Sequence, residues 1–250
     1  MPPTPETILS HPLLLCTRAP SSHIYTLTLR KPPENRLNSS YCQLLISSIH
    51  KIHSLIPPST PAALITTSSS PKFFCTGLEL EESATDPHAN TMGFYPLLAT
   101  LLDFPHPTVA AITGHTFGGA CPLILAHDYR IMNVERGFIC MPPVDLGLHF
   151  PGIGSLPRLK LGHTVARKML LEAHRWTGEE AVRDGVVDEA VEESEVLVRA
   201  EEVARTWAGK GRMGVYGVLR EELVGEAARG LREISYVRGK RVDREAKAKI

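Results

Sequence analysis

Residues 107–132 read PTVAAITGHTFGGACPLILAHDYRIM. The run 108–113 (TVAAIT) is apolar and β-branched, with Pro105 and Pro107 before it and Gly114 after it. That is the pattern of a short buried strand. Gly114, Gly118 and Gly119 then mark a turn. Residues 118–126 (GGACPLILA) read as a short helix with Pro122 in its first turn, where a missing N–H is tolerated. A further strand is expected over 129–132.

The same alternation extends outward. Upstream, 62–67 (AALITT) is a second buried strand, and 68–71 turn into PKFFCTGLELEE. Before it, 13–19 and 24–30 read as strands, the second alternating at period two, with Pro20-Ser21-Ser22 as the turn between them. In 39–56, Leu45, Ile49, Ile52 and Ile56 recur at the helical period, and Pro57-Pro58 stops the helix. Downstream, a helix is expected over 92–102 and a strand over 137–141. Helices follow over 164–171, 178–184, 193–208 and 213–230. Alternating strands and helices predict an α/β core with parallel strands over residues 13–160, followed by a helical region over 161–250.

Composition narrows the function. Of 250 residues, 43% are hydrophobic and 22% charged, which excludes a wholly disordered chain. Lys+Arg and Asp+Glu both number 27, so the basic excess of a nucleic-acid-binding domain is missing. No apolar run approaches the ~18 residues of a membrane span. The start, MPPTPETILSHP, lacks the features of a signal or transit peptide. Five cysteines, Cys16, Cys42, Cys75, Cys121 and Cys140, show neither C-x-x-C nor zinc spacing, so buried reduced thiols are expected and no metal is implied.

Two glycine-containing turns follow buried strands: Cys75-Thr76-Gly77-Leu78 and Gly114-His115-Thr116-Phe117-Gly118-Gly119. Glycine lets backbone N–H groups approach a ligand closely. The second turn also opens a helix, where free N–H groups favour negative charge. Two such turns meeting at neighbouring strand ends would form a two-donor oxyanion hole.

In order and spacing, the segments PPENRLN, KFFCTGLEL, PTVAAITGHTFGGACPLILAHDYRIM, RGFICMPPVDLGL and LGHTVARKMLLEAHRWTGEEAVRDGVVDEAV resemble the crotonase (enoyl-CoA hydratase/isomerase) superfamily over roughly residues 13–195. HDYRIMNVERGF is most similar to peroxisomal Δ3,Δ2-enoyl-CoA isomerases of plants and fungi. The resemblance implies a crotonase-like ββα spiral core with a C-terminal helical subdomain. It implies an acyl-CoA substrate, with coenzyme A as part of that substrate and no further cofactor, and often a homotrimer. The backbone N–H groups of Leu78 and Gly119 would hold the thioester oxygen, with Thr76, Gly77 and Gly118 lining the substrate.

The sequence departs from the family where the family carries its acids. Those positions fall on Pro122, Pro143 and Pro151, and proline cannot move a proton. His149 and Asp145 flank the expected place and are the candidate bases; a histidine titrates near neutral pH. Glu79, Glu81, His115, His127 and Asp128 read as structural. Three functions remain open: a Δ3,Δ2-enoyl-CoA isomerase of fatty-acid oxidation, an acyl-CoA binding protein without proton transfer, and a tailoring enzyme of a secondary-metabolite pathway. The terminal Ala248-Lys249-Ile250 is a variant of the S-K-L peroxisomal signal, so an import receptor is an expected partner; the alternative is a cytoplasmic protein.

Overall fold

The computed structural model describes residues 4–86 and 88–247, with side chains as far as 237. The expected signal at Ala248-Lys249-Ile250 lies outside the described residues. In chain order the elements are β1 (Glu6–His11), β2 (Leu14–Arg18), β3 (His23–Leu29), α1 (Ser39–Ser54), β4 (Ala62–Ser68), β5 (Phe73–Cys75), α2 (Leu80–Thr85) and α3 (Tyr95–Asp103). Then come β6 (Thr108–Ile112), β7 (His115–Phe117), α4 (Ala120–Leu125), β8 (Tyr129–Asn133), β9 (Ile139–Cys140) and α5 (Pro143–Leu146). The chain closes with α6 (Ser155–Lys160), α7 (His163–Leu171), α8 (Gly178–Arg183), β10 (Glu189–Val191), α9 (Val196–Ala208) and α10 (Val215–Lys247).

The strands form two sheets. The larger runs β1-β2-β3-β4-β6-β8-β10 and the smaller β5-β7-β9. Each turn of the chain therefore lays a long strand in one sheet and a short strand in the other before entering helix. This is the ββα spiral, with β4, β6 and β8 paired in parallel as expected. β1, β2 and β3 form an antiparallel meander on its edge.

Every residue of β4 and β6 is buried, because helices cover both faces of a parallel sheet. Side chains divide by parity. Ala63, Ile65, Val109, Ala111 and Ile131 face Val196, Ala200, Val203 and Ala204 of α9. Leu64, Ala110, Ile112 and Met132 face the main core, which Leu45, Ile49 and Ile52 of α1 help to fill. The period-two pattern thus supplies two cores from one sheet.

Several expectations are corrected. Residues 115–117 of the second glycine turn form strand β7, and 73–75 form β5; both are too short for alternation to register. Residues 6–11 pair with β2 as an edge strand. The helix expected over 213–230 begins after Gly214, whose φ of 73° ends the preceding 3₁₀ turn. It then runs to Lys247, because Gly225 and Gly230 each weaken a helix by only ~1 kcal/mol and do not stop one this long.

At the N-terminal ends of β6 and β8, the Asp128 carboxylate accepts from the Thr108 N–H (2.9 Å), the Thr108 hydroxyl (3.1 Å) and Arg220 Nη1 (2.8 Å). Arg220 is 4% exposed. One carboxylate thus joins two strands to α10. His127, fully buried beside it, donates from Nδ1 to the Leu123 carbonyl (2.9 Å) and accepts at Nε2 from the Thr66 hydroxyl (2.8 Å). Its ring is therefore neutral, and burial pushes its pKa down to about 4.

This gives stability a definite pH dependence. An unfolded histidine takes its proton near pH 6.5, whereas the folded ring resists until about pH 4. Stability is complete above pH 6.5 and is lost as pH falls through that window, by about 3 kcal/mol for this ring. Urea unfolding from pH 7 to pH 4 should show that slope in the wild type and a shallower one in His127→Gln. Equal slopes would remove His127 from the account.

Candidate active site

The first turn leaves β5 at Cys75. Gly77, at φ +91°, accepts from the Leu37 N–H (2.7 Å), and the Glu79 N–H donates to the Leu37 carbonyl (2.8 Å). Leu37 and Leu78 thus form a parallel bridge. In such a bridge the amide of the residue between the two bonds points the other way. The Leu78 N–H points away from Leu37 and has no acceptor among the described residues.

The second turn leaves β7 at Phe117. The Gly118 N–H donates to the Cys140 carbonyl (3.0 Å), and the Gly118 carbonyl accepts from the Cys121 N–H (3.0 Å). Gly118 has φ +56°, and Gly119 caps α4. The Gly119 N–H also lacks an acceptor among the described residues. The two turns touch: a Cβ on Gly77 would lie 2.7 Å from the Phe117 carbonyl oxygen and 2.8 Å from the Gly119 nitrogen. Two unbonded amides, one from each turn, therefore sit at one contact.

Apolar groups close over this contact. A Cβ on Gly119 would lie 3.1 Å from Leu78 Cγ and 3.3 Å from Phe94 Cζ. Phe94, Tyr95, Leu98, Pro122, Phe150 and Leu231 then bound a cavity of about 10 Å³. Its lining includes no Asp, Glu, His, Lys or Arg among the described residues.

A polar frame holds the first turn. The Thr76 hydroxyl donates to Glu34 (2.9 Å), which also accepts from Arg36 Nε (3.0 Å). Asn35, buried, donates to the Ser68 hydroxyl (2.7 Å) and the Phe74 carbonyl (2.9 Å). Glu79 pairs with Lys31 and accepts from Asn38 (3.0 Å). Burial works against the Glu79 charge, but those two bonds outweigh it and hold its pKa below the usual carboxylate range. Glu82 accepts from the Ser39 N–H (2.8 Å) and hydroxyl (2.6 Å) at the start of α1. Glu34, Asn35 and Glu82 escape a sequence reading because their partners lie some 40 residues away. The weak signal available was their clustering in PPENRLN.

The remaining candidates scatter. Thr76, Gly77, Leu78, Gly118 and Gly119 come together. Pro122 lines the cavity, Pro143 opens α5, and Pro151 is half-buried beside Phe150. Asp145, in α5, and His149, next to Phe150, are both exposed, with no side-chain hydrogen bond or ion pair among the described residues. Glu81 is exposed. His115 sits in β7 among the rings of Phe73, Phe117 and Phe138, at 5.2–5.7 Å between centroids. Burial, and then the charges of Lys72, Arg136 and Arg175, lower its pKa. All five cysteines are buried free thiols. Burial pushes Cys75, at the first turn, up to about 12, which leaves it no thiolate at neutral pH.

Known proteins agree with this architecture. The family description Enoyl-CoA hydratase/isomerase matches residues 20–240. The peroxisomal enoyl-CoA delta isomerase 2 of Arabidopsis thaliana is 33% identical over 230 residues, covering 85% of this chain and 93% of the plant protein. The carnitinyl-CoA dehydratase of Proteus mirabilis (strain HI4320) is 32% identical over 163 residues, 63% of this chain and 61% of its own. In fold, the apo enoyl-CoA isomerase of Mycobacterium tuberculosis superposes with a TM-score of 0.81 at 23% identity, covering 92% of this chain and 98% of that one. The chain belongs to the enoyl-CoA hydratase/isomerase family, within the crotonase superfamily, and is an enoyl-CoA isomerase/hydratase-like enzyme.

The contact between the turns makes a sharp prediction. Gly77→Ala forces a Cβ into two backbone atoms at a positive φ, and should cost ~3 kcal/mol or more. Gly147→Ala, at φ +63° with open space around it, should cost only ~1 kcal/mol. Urea denaturation of both variants tests this, and equal losses would contradict the close approach.

Proposed function

We propose that the protein shifts a double bond of an enoyl-CoA thioester from C3 to C2, by the Δ3,Δ2-isomerase reaction. The two unbonded amides at the junction of the turns carry this reading. The thioester oxygen accepts from the Leu78 and Gly119 N–H groups. A base removes a C2 proton, negative charge moves onto that oxygen as an enolate, and a proton returns at C4. Thr76, Gly77 and Gly118 shape the backbone around the thioester. Donors fixed in advance at the point where charge develops are worth ~3–4 kcal/mol each in the transition state.

By resemblance, the family's acid positions are Pro122, Pro143 and Pro151, so the base has to come from elsewhere. His149 and Asp145 belong to the 143–151 segment that leads into the cavity lining at Phe150, and His149 is favoured because an imidazole is half-protonated near neutral pH. A second reading keeps acyl-CoA binding without turnover. It draws support from the cavity lining, which holds Pro122 and no titratable side chain among the described residues.

Spectrophotometric assay with 3-enoyl- and 2-enoyl-CoAs separates the two. Turnover is expected, with Gly119→Pro lowering kcat by about 10²–10³-fold while circular dichroism stays native. His149→Ala should cost about 10²-fold or more. Full activity in Gly119→Pro would remove that donor. Binding without turnover, restored by Pro143→Glu, would favour the second reading.

We further propose a peroxisomal address, supported by the Ala248-Lys249-Ile250 terminus and by the names of the plant relatives. A fluorescent fusion with a free C-terminus should give punctate peroxisomal signal and turn diffuse when the three residues are deleted. A diffuse full-length fusion would refute the address.

A further inference from the structure

Two spaces lie on opposite sides of the α3–α10 packing. The inner one is the 10 Å³ cavity next to Gly119, which has room for about one water molecule. The outer one is a groove of about 700 Å³, bounded by Met92, Pro96, Ala99, Thr100, Ser235 and Tyr236. That volume is in the range of small-molecule sites, about 300–1,000 Å³.

The same two helices line both spaces with neighbouring residues. Tyr95 and Leu98 of α3 and Leu231 of α10 face inward. Pro96 and Ala99 of α3, with Arg232 and Ser235 of α10, face outward. The partition is thus one helix pair thick. At its edge a Cβ on Gly152, which also lines the cavity, would lie 2.6 Å from Ile234 Cδ1 and 3.7 Å from Leu231 Cδ2. Leu231 and Ile234, one helical turn apart, therefore close the cavity floor. From outside the partition is tied by the Arg232–Asp103 ion pair, about half exposed, and by the Ser235 hydroxyl donating to the Thr91 carbonyl. An exposed ion pair contributes little to holding helices together.

We infer that Leu231 and Ile234 set acyl-chain length. The carbons nearest the thioester occupy the cavity beside Gly119, and a longer chain passes between α3 and α10 into the groove beyond. This rests on the acyl-thioester reading above. The occupant of the groove is the apolar tail of the substrate: the groove continues from the cavity, and Met92 and Tyr236, both more than half exposed, give it apolar walls. Trimming the floor should favour long chains, and filling the groove should oppose them.

Calorimetric titration of the full chain with coenzyme A and with butanoyl-, octanoyl- and dodecanoyl-CoA tests this. Ile234→Ala should raise the ratio of dodecanoyl-CoA to butanoyl-CoA affinity about fivefold or more, since each buried methylene is worth roughly fourfold in binding. Thr100→Trp, in the groove wall, should lower the same ratio by a similar factor. The two variants sit on different helices, so a folding defect in one leaves the other decisive. Ratios unmoved in both, or moved in the same direction by both, would overturn the inference. If no acyl-CoA of any length binds more tightly than coenzyme A, the acyl-thioester reading itself falls and takes this inference with it, a pattern distinct from length-independent binding.

Discussion

The approach of Gly77 to the Phe117–Gly119 backbone governs the geometry of the site. With a Cβ position 2.7 Å and 2.8 Å from two main-chain atoms, any side chain at 77 would push the turns apart. The spiral makes the approach possible. Because β5 and β7 are parallel neighbours in the small sheet, the turns that leave them are neighbours too. Their amides point into shared space because their other bonds are already assigned: Gly77 and Glu79 to Leu37, and Gly118 to Cys140. The free donors are what remains after the framework has satisfied itself.

The opposite end of the sheet does different work. Arg130, Lys160 and Arg220 surround Asp128 and Asp188, so three cations share two carboxylates. Burial first, and then the neighbouring guanidinium groups, bring Lys160 down to about 8, against a weaker pull from the carboxylates. An arginine cannot relieve the imbalance by losing a proton, so the lysine carries it. Lys160 Nζ donates to the His127 carbonyl (3.0 Å), and Arg130 Nε donates to the Val186 carbonyl (2.8 Å). This cluster fastens α6, the start of β8 and α10 to the sheet. It fixes the N-terminal half of α10, while the half that carries Leu231 and Ile234 is held by side-chain packing.

The legible parts of the fold were those with a long periodic signal. β4 and β6 are apolar runs bounded by proline and glycine, and α1 repeats its apolar residues at the helical period; all three lie where expected. The small sheet was not legible, since strands of three, three and two residues have no room for a period. His115 illustrates the loss: within a glycine-rich turn it looked like a loop residue, yet pairing with Phe73 makes it part of a ring cluster. The two glycine turns could be read as motifs, but their contact could not, because Gly77 and Gly119 meet only through the tertiary pairing of β5 with β7. The frame around Glu34 and Asn35 was hidden for the same reason.

The energetic question left by the prolines concerns which part of catalysis a site can lose. General acid–base catalysis contributes ~10²–10⁴-fold, or roughly 3–5 kcal/mol. Two backbone donors at ~3–4 kcal/mol each contribute at least as much. If Leu78 and Gly119 hold the thioester oxygen, a chain with proline at every family acid position still keeps the larger share of the stabilisation. That share is built into the main chain, where side-chain substitution cannot easily erase it. The proton-moving groups are side chains, and the segment from Pro143 to Pro151 that would carry them is largely exposed, with Asp145 and His149 unfastened by any side-chain bond among the described residues. The rigid half of such a site persists because the fold requires Gly77 and Gly119 for packing, whereas the exposed half is free to change its chemistry without disturbing the spiral.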